Sequence, residues 1–324
     1  MKSKGKELRI VFMGTPEFAV TSLRRLVEEG YRIVGVVTTP DKPAGRGQKL
    51  HESDVKRYAV QAGLPVLQPV KLKDPEFVEA FRALKADLAI VIAFRMLPEV
   101  IWSMPRLGTF NLHASLLPQY RGAAPINWAL INGERQSGVT TFLLNSEIDK
   151  GNIIGQIATD IAPDENVGQL YDRLMHIGSG LVCETVEKLA EGRVEPVIQS
   201  HIPDHELKPA PKIFKEDCRI DWHAEGKRIV DFVRGLSPYP AAWSSLRDDR
   251  GAEINTLKIF KTSFVQAPRP APAGSIQTDG KSYVKVACKD GWIFIDELQM
   301  AGKKRMPVKE LLLGLKTLGD HTLA

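Results

Sequence analysis

The sequence predicts two domains, an α/β domain with a mostly parallel sheet flanked by helices and, after it, a smaller β-barrel. Three observations support this fold class. The chain has 324 residues, which is more than one ordinary core accommodates. Strand-like and helix-like segments alternate over roughly the first 200 residues. Short strand-like segments separated by turn residues then follow, as is typical of a small barrel. We place the boundary after Leu207, which gives domains 1–207 and 208–324.

The predicted elements of the first domain begin with a short apolar strand at Leu8–Met13. Thr15 and Pro16 suit the cap and the first position of a helix that ends at Gly30. Leu88–Ala93 is an unbroken apolar run, as expected of a strand buried on both faces. The other predicted elements are strands at Arg32–Thr38, Val66–Gln68, Thr109–His113 and Gly138–Leu144, a helix marked by Phe77, Phe81 and Leu84, and a long helix at Val167–Ala190.

A polar segment rich in lysine and proline, His201–Asp221, is interpreted as a linker to the second domain. Helices are predicted at Ala224–Leu236 and Val308–Leu315. Between them the predicted strands are Ala242–Leu246, Thr256–Phe260, Gly274–Gln277, Tyr283–Cys288 and Gly291–Ile295.

Composition excludes several classes of protein. No apolar run approaches the ~20 residues of a membrane span. Leu8–Met13 is too short for a secretory signal and contains Arg9, so we expect a cytoplasmic location. The three cysteines, Cys183, Cys218 and Cys288, fit neither a disulfide framework nor a zinc site, and the histidines show no metal spacing. We therefore expect no metal.

Positive charge is concentrated in the C-terminal third of the chain. The whole chain has a net charge of +5. Residues 1–207 contain 24 lysines and arginines against 25 aspartates and glutamates, whereas the remainder contains 20 against 14, a local charge of +6. A basic domain beside a neutral one favours a polyanion as partner. A solvated basic surface that serves solubility is the alternative.

Asn111 and His113 are the first candidate catalytic residues. They are two residues apart on a predicted strand, so alternation points both side chains to the same side. Open α/β folds place ligands near the ends of their strands. An amide and an imidazole at such a place can both donate hydrogen bonds to a carbonyl oxygen. The alternative is that both side chains satisfy backbone groups of the next turn.

Asp149 is the second candidate. It follows the strand that ends near Leu144 and lies in a turn marked by Gly151. A carboxylate there can orient His113 and accept a proton through it or through water. A turn aspartate that only caps or bends the backbone is the alternative.

The segment Thr39–Leu50 is irregular because of its prolines and glycines, and basic because of Lys42, Arg46 and Lys49. Its length slightly exceeds the usual range for a strand–helix connection. Such a basic loop can contact phosphate. An ordinary solvated loop is the alternative.

These residues belong to longer segments that resemble the methionyl-tRNA formyltransferase family. The block Asn111–Pro118 is similar to the wider folate-dependent formyltransferase superfamily, and the loop and linker segments narrow the resemblance to the tRNA enzymes. The resembling segments are Phe12–Phe18, Pro43–Leu50, Met104–Pro118, Tyr120–Ile126 and Arg219–Trp222.

The resemblance implies a Rossmann-like formyltransferase domain and an OB-like barrel that binds tRNA. It implies 10-formyltetrahydrofolate as the formyl donor, methionyl initiator tRNA as the acceptor, and Asn111, His113 and Asp149 as the catalytic residues. The loop around Arg46 is expected to reach the acceptor stem. The residues expected to bind the folate are Ser115, Leu116, Leu117 and Pro118, with Phe94, Arg95, Met96 and Leu97 near its pterin ring.

The chain departs from the family pattern at two places. The turn Leu144–Asn152 keeps Asp149 and Gly151 but differs around them, which leaves the partners of Asp149 open. Phe94–Leu97 replaces a smaller segment that contains glycine, so the pterin pocket is expected to be reshaped. Two other functions stay open: formyl transfer to a small amine or sugar-nucleotide, and non-catalytic RNA binding. For the barrel, a protein partner in place of tRNA is the alternative. Nothing demands a dimer, so we expect a monomer.

Overall fold

In a computed structural model of the chain, residues 3–44, 49–199, 203–268, 271–315 and 318–324 are described, with the backbone alone at Ala44, Lys49 and Asp204. The contacts divide the chain into two compact units. Met1–Gly122, Ser137–Thr159 and Tyr171–Pro209 form the first unit, and Ala123–Gln136, Asp160–Leu170 and Ala210–Ala324 form the second. The boundary expected after Leu207 stays a prediction, because contacts alone do not show that either part folds by itself.

The first sheet has helices before or after most of its strands. Its strands, with a separate hairpin formed by β3 and β4, are β1 (Ile10–Gly14), β2 (Ile33–Val37), β3 (Lys42–Ala44), β4 (Lys49–His51), β5 (Val66–Leu67), β6 (Leu88–Ile92), β7 (Thr109–His113), β8 (Gln136–Leu143) and β9 (Ile153–Asp160). The helices are α1 (Glu17–Glu28), α2 (Asp54–Gln61), α3 (Pro75–Ala83), α4 (Glu99–Trp102), α5 (Pro125–Ile131) and α6 (Val167–Glu191).

The strands of the first sheet run in the order β5-β2-β1-β6-β7-β8-β9. The pairs β2–β5, β1–β2, β1–β6 and β6–β7 are parallel, and β7–β8 is antiparallel. The mostly parallel, Rossmann-like sheet predicted from the sequence is therefore confirmed. All residues of β6 are buried, as its unbroken apolar run predicts.

Apolar side chains of the helices and strands form the core of the first unit. Phe81 on α3 is 1% exposed and packs in a cluster with Val11, Met13 and Val91. Replacing a buried phenylalanine of this kind by alanine typically costs about 3–5 kcal/mol of stability. This packing fixes the strands from which the candidate site projects.

Some predicted details differ from the structure. Helix α1 begins at Glu17, with Pro16 as its cap, so the predicted cap at Thr15 is one residue too early. Pro16 has extended backbone angles (φ −84°, ψ 174°), and its carbonyl oxygen accepts the first helical hydrogen bond from Ala19. The helices α2 and α5 and the strand β9 were not predicted.

The second unit contains an antiparallel sheet that is nearly closed. Its elements are α7 (Gly226–Leu236), β10 (Ala242–Arg247), β11 (Glu253–Gln266), β12 (Ile276–Thr278), β13 (Val284–Cys288), β14 (Gly291–Met300), β15 (Met306–Pro307), α8 (Val308–Gly314) and β16 (Thr322–Leu323). The sheet order is β12-β13-β14-β11-β10-β16, with β15 paired to β14, and a bridge between Ser275 and Thr322 connects the two ends. The predicted small barrel is therefore confirmed.

The segment Arg219–Trp222 belongs to the barrel rather than to a free linker. Trp222 is 3% exposed in the barrel core, and its indole nitrogen donates a hydrogen bond of 2.9 Å to Oγ of Ser244. The backbone N–H of Ile220 donates to the carbonyl oxygen of Trp243 at 2.9 Å. None of the helices within the described ranges has the length and apolar character that crossing a membrane requires.

Candidate active site

The strand order of the first sheet changes direction between β1 and β6. In open α/β sheets, ligands bind outside the carboxyl ends of the strands at such a switch point. The segment Ala93–Leu97 follows β6 directly, and the neighbouring strand β7 ends at His113. Two groups of predicted site residues therefore lie at the expected edge of the sheet.

Asn111 and His113 lie on β7, where they pair with Phe142 and Thr140 of β8. The alternation of the strand places both side chains on one face. His113 is 7% exposed, and its Nε2 lies 2.8 Å from the carbonyl oxygen of Tyr120. A carbonyl oxygen only accepts, so Nε2 carries a proton and Nδ1 is the ring nitrogen left for other contacts.

The carboxamide of Asn111 is available for a ligand. Within the described residues it makes no hydrogen bond, and Asn111 is only half-buried. His113 does satisfy a backbone group of the following turn, as one alternative predicted, but Asn111 does not. Among the described residues the pair therefore offers two free polar groups, the carboxamide of Asn111 and Nδ1 of His113.

The turn after β7 is held by side chains of β8 and β9. The backbone N–H of Leu117 donates to Oγ1 of Thr140 at 3.2 Å, and Thr140 donates to the carbonyl oxygen of Ser115 at 2.6 Å. Nε2 of Gln156 donates to the carbonyl oxygen of Leu117 at 2.8 Å and to Thr140 at 2.9 Å. Ser115 is buried, and its hydroxyl donates to the carbonyl oxygen of Gln119. The turn is thus preorganised before any ligand binds.

Leu117 is buried in this turn, whereas Leu116 and Pro118 are half-buried. The polar groups of Ser115 are used internally, so the turn presents an apolar edge. Such an edge is suited to packing against a ring system rather than to recognising charge.

Asp149 and His113 are linked through the segment Tyr120–Gly122. The backbone N–H of Gly122 donates to Oδ2 of Asp149 at 3.0 Å, while the carbonyl oxygen of Tyr120 binds His113. The described residues show no hydrogen bond or ion pair between Asp149 and His113 themselves. A direct orienting contact between the two side chains stays a prediction, and the structure supplies an indirect link.

The turn that carries Asp149 is supported by contacts among its own residues. The backbone N–H of Glu147 donates to Oδ1 of Asn145 at 2.9 Å, and Lys150 forms an ion pair of 2.7 Å with Glu147. The hydrogen bond from Lys150 lowers the pKa of the Glu147 carboxyl below its usual value. Asp149 itself is half-buried and has a left-handed backbone with φ of 54°.

The sequence did not identify Gln199 and Arg121 as site residues. Gln199 is 6% exposed and donates to the carbonyl oxygens of Asp149 and Gly151, both at 2.8 Å. Its Oε1 accepts from Nε of Arg121 at 3.1 Å. The only available signal was that Arg121 lies within the resembling segment Tyr120–Ile126; Gln199 lies in a stretch without periodicity.

The segment Phe94–Leu97 lies against the loop that contains Pro69 and Val70. Arg95 donates from its guanidinium to the carbonyl oxygens of both residues, with 2.8 Å to Val70. Burial lowers the pKa of Arg95 from its usual value. Leu97 is buried, Phe94 is half-buried and Met96 is 74% exposed. The segment therefore presents apolar side chains at the carboxyl end of β6.

The basic loop predicted at Thr39–Leu50 contains the hairpin β3–β4, in which Lys42 pairs with His51. Lys42 is exposed. Arg46 and the side chain of Lys49 lie outside the described residues. At the base of the hairpin, Lys56 forms ion pairs with Asp41 and Glu52.

The cysteines are not part of this site. Burial raises the pKa of all three thiols, that of Cys183 to about 12, so each is protonated at neutral pH. Among the described residues, histidines, cysteines and acidic residues form no group that could hold a metal ion.

Two family profiles match most of the chain. The formyl transferase profile matches residues 8–186. The profile of the formyl transferase C-terminal domain matches residues 212–316. The first match contains Asn111, His113 and Asp149, and the second contains most of the barrel.

Curated relatives match nearly the full length of the chain. A methionyl-tRNA formyltransferase of Bacteroides thetaiotaomicron is 56% identical over 314 residues, which is 97% of each chain. A methionyl-tRNA formyltransferase of Phocaeicola vulgatus is 58% identical over 319 residues, 98% of each chain.

Solved structures share the fold at low sequence identity. An N-formyltransferase from Helicobacter canadensis, in complex with folinic acid and dTDP-3-aminofucose, is 20% identical with a TM-score of 0.65, covering 92% of this chain and 100% of that one. HypX from Aquifex aeolicus, in complex with tetrahydrofolic acid, is 20% identical with a TM-score of 0.62, covering 96% of this chain and 47% of that one.

Proposed function

Because the chain belongs to the methionyl-tRNA formyltransferase family, we propose that it transfers a formyl group from 10-formyltetrahydrofolate to the free amino group of methionyl initiator tRNA. The observation that carries the proposed site is the pair Asn111 and His113 at the carboxyl end of β7, beside the switch point of the sheet. The carboxamide of Asn111 is free among the described residues. A pair of donors at this place suits a carbonyl oxygen that gains negative charge.

The proposed reaction is direct acyl transfer. The methionyl α-amine attacks the formyl carbon, a new carbon–nitrogen bond forms, and the bond from that carbon to N10 of the folate breaks. The amine loses a proton and the folate nitrogen gains one. Asn111 and a protonated His113 donate to the formyl oxygen, and donors of this kind are worth about 3 kcal/mol each.

His113 meets a requirement of this role, because Nε2 is already committed to Tyr120. Nδ1 then donates when the ring is charged and accepts when it is neutral. Asp149 is proposed to help orient the ring of His113 and to help remove the amine proton. The carboxylate of Asp149 accepts a hydrogen bond from Gly122, two residues after Tyr120, which binds His113. The same short segment therefore helps to place both side chains.

The folate is proposed to bind along Ser115, Leu116, Leu117 and Pro118, with its pterin ring near the segment Phe94–Leu97. The apolar edge of the turn and the apolar side chains after β6 fit a flat ring system. Arg95 is proposed to hold this segment in place by its hydrogen bonds to the carbonyl oxygens of Pro69 and Val70.

The tRNA is proposed to bind through the basic loop and the barrel. Lys42 is exposed, and the loop also carries Arg46 and Lys49. The residues beyond Leu207 have a charge of +6. A small acceptor needs no such basic surface, and this argues against transfer to a sugar-nucleotide or another small amine.

Comparison of acceptors tests the proposed function. The protein is incubated with 10-formyltetrahydrofolate and, separately, charged initiator tRNA, charged elongator tRNA or small amines, and the formylated product is measured. We expect formylation of charged initiator tRNA only. Efficient formylation of a small amine would favour the sugar-nucleotide alternative, and no formylation of any acceptor would favour a non-catalytic RNA-binding protein.

Substitution of the three candidate catalytic residues tests their roles. We expect Asn111→Ala, His113→Ala and Asp149→Ala each to lower turnover by at least ~100-fold. His176→Ala on α6 is the matched control, because that histidine is exposed and, among the described residues, its ring bonds only to a carbonyl oxygen of its own helix. Near-normal turnover in all three variants would contradict the mechanism.

Arg46→Ala and salt dependence test the tRNA surface. We expect the variant to impair turnover that depends on tRNA while folate binding is retained, and tRNA affinity to fall steeply as salt rises. Equal loss of both activities in the variant would indicate misfolding. A weak salt dependence would favour a protein partner for the barrel.

Cytoplasmic location and a monomeric state complete the proposal. Initiator tRNA is charged and used in the cytoplasm, where the acceptor is available. Light scattering on the purified protein measures the mass directly, and a value near 35.9 kDa is expected for the monomer.

A further inference from the structure

Gln199 uses all of its hydrogen-bonding groups within the candidate site. Nε2 donates to the carbonyl oxygens of Asp149 and Gly151, and Oε1 accepts from two nitrogens of Arg121. A rotated amide would place its oxygen against two carbonyl oxygens and its NH2 group against a cation. The arrangement therefore allows one orientation of the amide.

Asp149 requires support from its surroundings. Its backbone is left-handed, with φ of 54°, a conformation that residues other than glycine rarely adopt. The hydrogen bond from Gln199 to its carbonyl oxygen and the bond from Gly122 to its carboxylate hold the two ends of the residue. The backbone conformation and the direction of the carboxylate are thereby coupled.

Arg121 connects Gln199 to the segment that binds His113, a second candidate catalytic residue. It lies between Tyr120, whose carbonyl oxygen binds His113, and Gly122, whose N–H binds Asp149. The contacts form a closed ring that runs from Asp149 to Gly122, along the chain to Arg121, through Gln199 and back to Asp149. Gln199 closes this ring with a side chain that is 6% exposed.

We propose that Gln199 is a positioning residue for formyl transfer, which holds the backbone of Asp149 and so directs its carboxylate. Arg121 fixes the amide that does this. The inference rests on the proposed function, because it requires Asp149 to act in the reaction. Gln199 acts through Asp149, and no contact with either substrate is part of the proposal.

Gln199→Glu in the full chain tests the inference. The carboxylate keeps the size of the side chain and its bond to Arg121, but opposes the carbonyl oxygens of Asp149 and Gly151. We expect kcat to fall about 10- to 100-fold. KM for 10-formyltetrahydrofolate and for methionyl initiator tRNA should stay within about twofold. The pH dependence of kcat should also shift, since Asp149 takes part in proton transfer.

Two variants serve as controls. Gln61→Glu introduces the same charge at the exposed end of α2, and we expect wild-type kinetics. Gln199→Met keeps a neutral side chain of similar length without the hydrogen bonds. It should also lower kcat, by a smaller factor than Gln199→Glu does, and its thermal melting curve shows whether it is folded.

A double-mutant cycle with Asp149→Asn separates positioning from an independent role. If Gln199 acts through Asp149, Gln199→Glu should lower kcat by no more than about twofold in the Asp149→Asn background. Multiplied losses in the double variant, or a folded Gln199→Met with normal kcat, would overturn the inference. A wild-type protein that does not formylate methionyl initiator tRNA would instead remove the proposed function.

Discussion

Gly151→Ala probes how closely the turn that carries Asp149 is packed against β8. A Cβ atom added at residue 151 would lie 1.6 Å from the carbonyl oxygen of Leu143 and 3.1 Å from the ring of Phe142. Cβ atoms in real proteins essentially never come closer than 3.0 Å to a heavy atom outside their own and the adjacent residues. The turn must therefore move by more than ~1 Å, and a displacement of that size near a reacting group can cost about 100-fold in rate.

We expect Gly151→Ala to lower kcat by about 100-fold while the free energy of unfolding falls by about 1–3 kcal/mol, because an exposed turn moves more easily than the strand beneath it. Initial rates with charged initiator tRNA measure kcat, and denaturant unfolding measures stability.

Gly314→Ala is the matched control for this substitution. Its added Cβ would meet no atom within 4 Å, so normal kcat and stability are expected. A folded Gly151→Ala protein with kcat within about twofold of wild type would refute the argument that packing at residue 151 fixes the placement of Asp149.

Three other substitutions have distinct expected outcomes. Arg95→Met removes charged hydrogen bonds of about 1.5–3 kcal/mol that join the segment Phe94–Leu97 of the proposed folate site to the loop at Pro69 and Val70. KM for the folate should therefore rise about 10-fold while KM for tRNA is unchanged, and an unchanged folate KM would contradict this role. Lys56→Met removes the ion pairs with Asp41 and Glu52, which hold the base of the basic hairpin. Because the hairpin is proposed to contact tRNA, KM for tRNA should rise several-fold while KM for the folate is unchanged. Burial acts to raise the pKa of Glu187, but hydrogen bonds from Ser3, Tyr31 and Gly5 hold it below its ordinary 4.5. Its contribution to stability is therefore complete above pH 4.5 and is lost as the pH falls below that value; denaturation of Glu187→Gln should lack this acid-dependent component, and an unchanged pH dependence would contradict it.

Elements with long or unmixed patterns could be predicted from the sequence. The apolar run Leu88–Ala93 has no polar position to place on a solvent face, so a buried central strand is its simplest solution. Helix α6 was predicted within one residue of its end because one apolar stripe continues over many turns. The shared face of Asn111 and His113 could be predicted from the two-residue period of a strand once β7 was located.

Elements that depend on distant partners could not be predicted. Strand β9 is at the edge of its sheet and mixes polar and apolar residues, so its pattern is weak. Gln199 acquires its role from Arg121 and Asp149, which are 78 and 50 residues away in the chain. The turn at Asp149 also remained open, because Asn145 and Lys150 support it by local contacts that the sequence alone does not show.

The nearly closed barrel also affects how the protein resists aggregation. An exposed sheet edge is a template on which other chains can add strands, and joining the ends of a sheet removes it. Here the junction depends on Gly274, whose carbonyl oxygen accepts from the N–H of Leu323 at 2.9 Å. With φ of 85° and an added Cβ only 2.1 Å from the carbonyl oxygen of Leu323, no side chain fits at residue 274. A substitution there should free β12 and β16 together, so that concentrated protein forms intermolecular sheets before the catalytic unit loses its fold.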